Sequence, residues 1–138
     1  MYIVPCPDTA KQNLKNKEVM KAAGWNFGSL LKINDSVYKN QCKDYPFWAY
    51  QSGIGVGSIS TVFQGSGSGT IIFGNCYLDE SPSSKTTVSL NDNLIGTATK
   101  TKVTLNFNFT KGDILEVEEI NTGILGIYSF HLECINEM

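Results

Sequence analysis

The residues best suited to chemistry are aromatic and amide side chains crowded into two short stretches. Tyr45, Phe47, Trp48 and Tyr50 stand beside Asp44 and Gln51 within eight residues, and Asn75, Tyr77 and Asp79 form a second group. Trp25 with Asn26 offers a further pairing. Sugar rings present apolar C–H faces that stack on Trp and Tyr, while amide and carboxylate groups hydrogen-bond their hydroxyls. Trp48 is the expected stacking surface, with Tyr45 and Tyr77 flanking it. Asp44, Gln51, Asn75 and Asp79 are the expected hydroxyl partners. The competing arrangement is structural: Trp48 and Phe47 plug one open end of the fold, and Trp25 anchors a helix to it.

Other chemistries have less to build on. A single histidine, His131, leaves little scope for zinc or acid–base work, and its neighbours Phe130 and Leu132 suit an ordinary strand position. Glu116, Glu118 and Glu119 could be cast as the paired carboxylates of a glycosidase. Glu116 and Glu118, two apart on one strand, are equally what a solvated outer face looks like. Gly53-Ile54-Gly55-Val56-Gly57 has neither the spacing nor the strand-to-helix setting of a nucleotide loop. The expectation is a protein that is not an enzyme.

Charge narrows the partners. All eleven basic residues are lysines and the formal net charge is −2, so the guanidinium fork that grips phosphates and guanine edges is missing. No nucleic-acid partner is expected. No apolar run approaches the roughly 18 residues of a membrane span, and no membrane insertion is expected.

The elements that must position these residues change character along the chain. With 138 residues the chain fits one domain. Residues 1–52 read as a helical and aromatic segment packed on a sandwich formed by residues 53–138. Thr9 is a plausible N-cap, Ala10 to Ala23 carries good helix formers, and Gly24 is a natural stop. Pro46 prevents the aromatic cluster from being one continuous central strand. From Gly53 onward short strands alternate with turn signals. Asn91-Asp92-Asn93 predicts a hairpin between Thr86–Leu90 and Leu94–Ala98. In 102–109, Val103, Leu105, Phe107 and Phe109 point one way and Lys102, Thr104, Asn106 and Asn108 the other. In 114–119, Leu115 and Val117 oppose Glu116 and Glu118. The predicted fold is all-β, an antiparallel sandwich with a short N-terminal helical segment.

Four cysteines, Cys6, Cys42, Cys76 and Cys134, are spread along the chain without a C-x-x-C pair. They make either two disulfides in an oxidising compartment or four buried thiols. The even count and a surface rich in Ser, Thr and Asn suit a secreted or cell-surface protein. Asn34-Asp35-Ser36 and Asn108-Phe109-Thr110 match the glycosylation pattern of a glycoprotein. Met1 to Pro5 lacks the basic and long apolar regions of a signal peptide, so a leader removed earlier or a longer parent chain is expected.

The order of strands from Gly57 onward resembles the galactose-binding-like jelly rolls that serve as carbohydrate-binding modules. The matching pieces are Gly69-Thr70-Ile71-Ile72-Phe73, the hairpin from Val88 to Thr97, the alternating strand 102–109, Gly112-Asp113-Ile114-Leu115-Glu116-Val117, and Ile127-Tyr128-Ser129-Phe130-His131-Leu132. Asp92 stands where that family often has glycine. The resemblance implies a non-catalytic, lectin-like extracellular module that binds carbohydrate. It requires no cofactor, although such jelly rolls often carry a structural calcium ion, for which Asp79, Glu80, Asp113 and Glu119 offer oxygen donors. First and last strands lie close in jelly rolls, which implies a Cys6–Cys134 disulfide and leaves Cys42–Cys76 to tie the aromatic segment to the sandwich. The alternative reading is a structural subunit whose N-terminal arm docks on another copy in an extracellular assembly.

Overall fold

A computed structural model describes residues 2–4, 17–22, 24–28, 42–43, 45–51, 55–76, 84–99, 101–121 and 123–136. Among them, ten strands and one helix follow in chain order: β1 (Tyr2–Val4), α1 (Lys17–Ala22), β2 (Trp25–Phe27), β3 (Phe47–Gln51), β4 (Val56–Val62), β5 (Ser66–Asn75), β6 (Lys85–Leu90), β7 (Asn93–Ala98), β8 (Val103–Phe109), β9 (Ile114–Ile120) and β10 (Gly123–Asn136).

Several turns have a readable local cause. Asn91 and Asp92 both take positive φ, 51° and 67°, which closes the β6–β7 hairpin with two residues whose twist matches the flanking strands. Gly24, at φ 106°, ends α1 by donating its N–H to the Lys21 carbonyl at 3.0 Å. Between β8 and β9, the Asp113 carboxylate accepts from the Thr110 N–H at 2.8 Å and the Asn91 side-chain amide at 2.9 Å. Those two bonds, the Asn91 one foremost, hold the Asp113 carboxyl below its ordinary range.

The strands form two antiparallel five-stranded sheets. One runs β10-β5-β8, with β3 and β1 both pairing along the other side of β10; the second runs β2-β4-β9-β6-β7. The order β3-β10-β5-β8 facing β4-β9-β6-β7 is the two-Greek-key winding of a jelly roll. Residues 47–51 are the jelly roll's own first strand, and β1 and β2 each add a strand to one of its two sheets. Pro46 explains the starting point, since pairing begins at the residue after it. Of the expected helix, Lys17–Ala22 is present; residues 10–16 and 23 lie outside the described residues.

Side chains from the two facing sheet surfaces meet in one core. Phe47, Ile59, Ile71, Phe73, Val88, Leu115, Val117, Leu125 and Ile127 are completely shielded from solvent. Met20 and Trp25 close the core from the helical end, and the Trp25 ring meets Phe130 edge-on at 5.3 Å. In β8 the alternation holds. Phe107 and Phe109 are buried, Val103 and Leu105 half-buried, and Thr104, Asn106 and Asn108 exposed. Leu105 is only half-covered because β8 is the last strand of its sheet.

These positions set a stability ranking. Phe107→Ala removes a buried ring and should cost about 3–5 kcal/mol. Leu105→Ala, half-covered, should cost less, and Asn106→Ala should stay within about 0.5 kcal/mol. Urea unfolding of the three variants checks the order; a larger loss for Asn106→Ala than for Phe107→Ala would reverse the assigned face.

Candidate functional site

Strands β2, β3, β5, β7 and β9 finish at one end of the sandwich, and a buried carboxyl group lies at that end. The alternation that points Leu115 and Val117 inward carries Glu119 inward as well, and Glu119 has no solvent exposure. Its partners come from both sheets. Thr86 Oγ1 lies 2.5 Å from Oε1, Ser84 Oγ 3.2 Å from Oε2, and the Asn75 amide Nδ2 donates to Oε2 at 3.1 Å. Asn75 also donates to Ser84 Oγ at 2.8 Å, and its Oδ1 accepts from the Ile124 N–H at 3.5 Å. Gly123 leaves the room this requires, since a Cβ there would overlap the Glu119 carboxylate and the Ser84 hydroxyl.

Burial pushes the Glu119 carboxyl up to about 8, against the smaller opposing pull of the Thr86 and Ser84 hydroxyls. Thr86 Oγ1 donates to Oε1 and lies 3.4 Å from the Gly74 carbonyl. Oε2 accepts from Ser84 and Asn75. Each polar group of the cluster has a partner, as burial demands.

This cluster is tied directly to an aromatic ledge on the outer surface of the β3-β10-β5-β8 sheet. Cys76 follows Asn75 and is joined by a disulfide to Cys42, with Cα atoms 5.6 Å apart. The Cys76 N–H also bonds the Ile124 carbonyl at 2.9 Å. Cys42, Cys76, Ile124 and Tyr45 form a small second core, with Trp48 and Tyr50 packed on it. The Tyr45 ring lies flat across Gly74 and Gly126: a Cβ on Gly126 would come within 2.7 Å of that ring, and one on Gly74 would meet its hydroxyl. Only glycine at both positions leaves the floor low enough.

The ledge is continued by a β-bulge. Ile127 pairs with Phe73 and Ser129 with Ile72, so the extra residue, Tyr128, is turned outward and stays 43% exposed. Lys102 reaches across from the start of β8, placing Nζ 4.1 Å above the Tyr128 ring and 5.6 Å from that of Tyr45. Beyond Tyr128 the surface becomes a ladder of short polar side chains. Thr70 faces Asn106 and His131, and Ser68 faces Asn108 and Glu133. The Thr70 hydroxyl donates to Asn106 Oδ1 at 2.7 Å. An open depression of about 320 Å³ lies over the β5–β8 pair, lined by residues 68–70 and 106–108.

The expected site residues are thus only partly brought together. Trp48 stands half-buried on the ledge, beside Tyr50. Tyr45, expected to flank a ligand, is buried and forms the ledge's base. Asn75, expected to bond ligand hydroxyls, is turned inward to Glu119 and Ser84 and is 3% exposed. Its place on the inward parity of β5, with Ile71 and Phe73, is the reason. Asp44, Tyr77, Asp79 and the Gln51 side chain lie outside the described residues, as do Cys6 and the Cys134 side chain; the backbone register nonetheless sets Val4 opposite Cys134. Tyr128, Lys102 and the Thr70–Asn106 rung were not expected. The outward parity of Lys102 and Asn106 was visible in the alternation, but the bulge that exposes Tyr128 leaves no mark in composition.

The other candidate chemistries separate in space. Asp113 and Glu119 lie near opposite ends of β9, about 20 Å apart at 3.4 Å per residue, so they do not share a calcium ion. The Glu119 carboxyl also faces an amide N–H donor, which does not fit a cation. Asp79 and Glu80 lie outside the described residues. Glu116 and Glu118 face outward on the opposite sheet. Partial burial, then Glu116 and Asp92, raise the Glu118 carboxyl above its ordinary value. His131 is exposed and lies 3.6 Å from the Glu133 carboxylate.

No family model and no curated protein matches this sequence. Solved structures with a similar arrangement of strands include CBM35 from Paenibacillus barcinonensis, at 11% identity and TM-score 0.47, over 79% of this chain and 91% of that one. A family two carbohydrate esterase from Clostridium thermocellum, in complex with cellohexaose, is similar at 13% identity and TM-score 0.44, over 78% of this chain and 30% of that one. The secreted serine protease VesC from Vibrio cholerae follows at 8% identity and TM-score 0.48, over 75% and 28%. The chain spans less than a third of the esterase and the protease. At these identities the likeness is one of strand arrangement alone.

Two outcomes follow from the geometry. A neutral Glu119 in the fold and an ionised one in the unfolded chain make stability greatest at acid pH, below the ordinary carboxyl value of 4.5. Stability should then fall as pH rises from 4.5 to about 8, by about 5 kcal/mol in all. Glu119→Gln should flatten this slope in thermal melts across that range; an unchanged slope would mean that Glu119 is ionised in the fold. Separately, reducing Cys42–Cys76 opens a 34-residue span and should cost about 3–4 kcal/mol. Urea midpoints with and without reductant, on wild type and on Cys42→Ser/Cys76→Ser, measure it.

Proposed function

We propose that this protein is a non-catalytic carbohydrate-binding domain of a secreted or cell-surface protein, using the outer face of the β3-β10-β5-β8 sheet. The observation that carries the reading is the glycine-floored ledge of Trp48, Tyr50 and Tyr128 beside the uncharged Thr70–Asn106 rung. Stacking surface and hydroxyl partners thereby share one face, the combination that sugar recognition needs. The Cys42–Cys76 disulfide fits an oxidising compartment and hence the extracellular placement. Trp48 provides the main stacking plane in this reading, and Tyr45 sets its height from below.

The alternative, a subunit of an extracellular assembly, draws on the opposite sheet, where Val62 and Ile114 are cross-strand neighbours and both more than 40% exposed. Light scattering separates the two, since a monomer at micromolar concentration removes the assembly reading.

Binding should be weak, in the micromolar to millimolar range, because few contacts must offset the entropy of association. It should depend little on salt. A neutral-glycan array on the monomeric protein identifies the ligand. Trp48→Ala should then lower affinity by at least about tenfold, the equivalent of one lost aromatic stack, with circular dichroism unchanged. Full affinity in Trp48→Ala and Tyr128→Ala alike would place the site elsewhere, and loss of the folded spectrum in Trp48→Ala would make Trp48 a packing residue.

A further inference from the structure

The ledge ends at Tyr128, but the polar surface does not. From the Tyr128 bulge two more rungs continue along β5 and β8, Thr70 with Asn106 and then Ser68 with Asn108, each about 7 Å beyond the last at two residues per step. Thr70, Asn106 and Asn108 line the 320 Å³ depression together with Ser68, and no lining residue carries a charge. The volume lies within the range of small-molecule sites. Two features limit what such a surface can hold. Without a cation in the lining it offers nothing to phosphates or sulfates, and the Glu133 carboxylate at its β10 border opposes them. Lacking exposed apolar side chains, it has no centre on which a protein interface could be built. Hydroxyls and amides on a regular spacing match an uncharged ligand that is itself a repeat of hydroxyl groups.

We propose that the Thr70–Asn106 and Ser68–Asn108 rungs are a second subsite for a neutral oligosaccharide, so that the protein recognises several consecutive sugar units inside a chain rather than one terminal sugar. The inference rests on the carbohydrate reading above and deepens it. One unit stacks on the aromatic ledge, and the next units run along β5 and β8. Asn106 Oδ1 is already engaged by the Thr70 hydroxyl, which restrains an amide that lines the depression. The side chains are held before the ligand arrives, which lowers the cost of binding.

The test is isothermal titration with neutral oligosaccharides, from monosaccharide to hexasaccharide, of β-1,4-glucan, β-1,3-glucan, xylan and mannan. Affinity should rise with chain length. Asn106→Ala/Asn108→Ala should abolish that rise, a loss of about tenfold for the longest ligand, corresponding to one or two neutral hydrogen bonds. The same variant should bind the shortest binding member of the series as wild type does. Both asparagines are exposed, so its melting temperature should stay that of wild type. Thr70→Val, which releases the Asn106 amide, should give part of the same loss. A length-independent affinity, or a rise that survives in Asn106→Ala/Asn108→Ala, would overturn the second subsite and leave the carbohydrate reading standing. A wild-type protein that binds no member of any series, and nothing on a glycan array, would overturn both.

Discussion

The arrangement depends most on a carboxyl group that has no access to water. A jelly roll is held together by apolar side chains between its sheets, yet at its loop-bearing end this one substitutes Glu119, Asn75, Ser84 and Thr86. Such a cluster contributes only while every member is satisfied, because an unpaired buried polar group costs about 1–3 kcal/mol. In return it is directional. The Asn75 amide can bridge to Glu119 from one orientation only, which fixes where β5 stops and how Cys76 leaves it. Through Cys76 the cluster fixes Cys42, and through the small core around the disulfide it fixes Tyr45 and Trp48. An apolar plug would have filled the same space without setting that direction.

Much of the fold was legible in the sequence because its rule is local. Period-two alternation assigned the faces of β8 and β9, and Asn91-Asp92 marked the hairpin through a conformation that few other residues tolerate. The site was less legible, for two physical reasons. Asn75 looked like a ligand-binding amide because its neighbours in sequence, Tyr77 and Asp79, are polar or aromatic. Its direction is set by strand parity counted from Ile71 and Phe73, and parity points it inward. Glu119 could have been found by the same count from Leu115 and Val117, but a charged residue after Glu116 and Glu118 reads naturally as more of the solvated face. The tertiary signals had no local trace at all: the bulge at Tyr128, the shared glycine floor, and the reach of Lys102 across to two tyrosines.

The two outer faces also differ in a way that bears on partner choice. On the β2-β4-β9-β6-β7 sheet, Glu116 and Glu118 project from the central strand, and Glu118 already holds its proton more tightly because of partial burial and its acidic neighbours. Anything docking there must desolvate carboxylates, a cost that weak ligands cannot offset. On the other sheet Tyr45 covers Gly126 and Gly74, β5 presents Ile72, Thr70 and Ser68, and β10 sets His131 and Glu133 opposite Thr70 and Ser68, with Lys102 on the aromatic side. The β5–β8 side of these rungs has no charged residue in its lining, so an uncharged ligand there meets hydroxyls and amides first. Lys102 adds a constraint, because an ammonium 4.1 Å above Tyr128 occupies one face of that ring. A sugar on the ledge must then either use the Trp48 side or displace Lys102 from its aromatic seat, an exchange worth about 0.5–1 kcal/mol at an exposed site. The first costs nothing, which is the physical reason for placing the stacking unit on Trp48 and letting the chain pass Tyr128 toward Thr70 and Asn106.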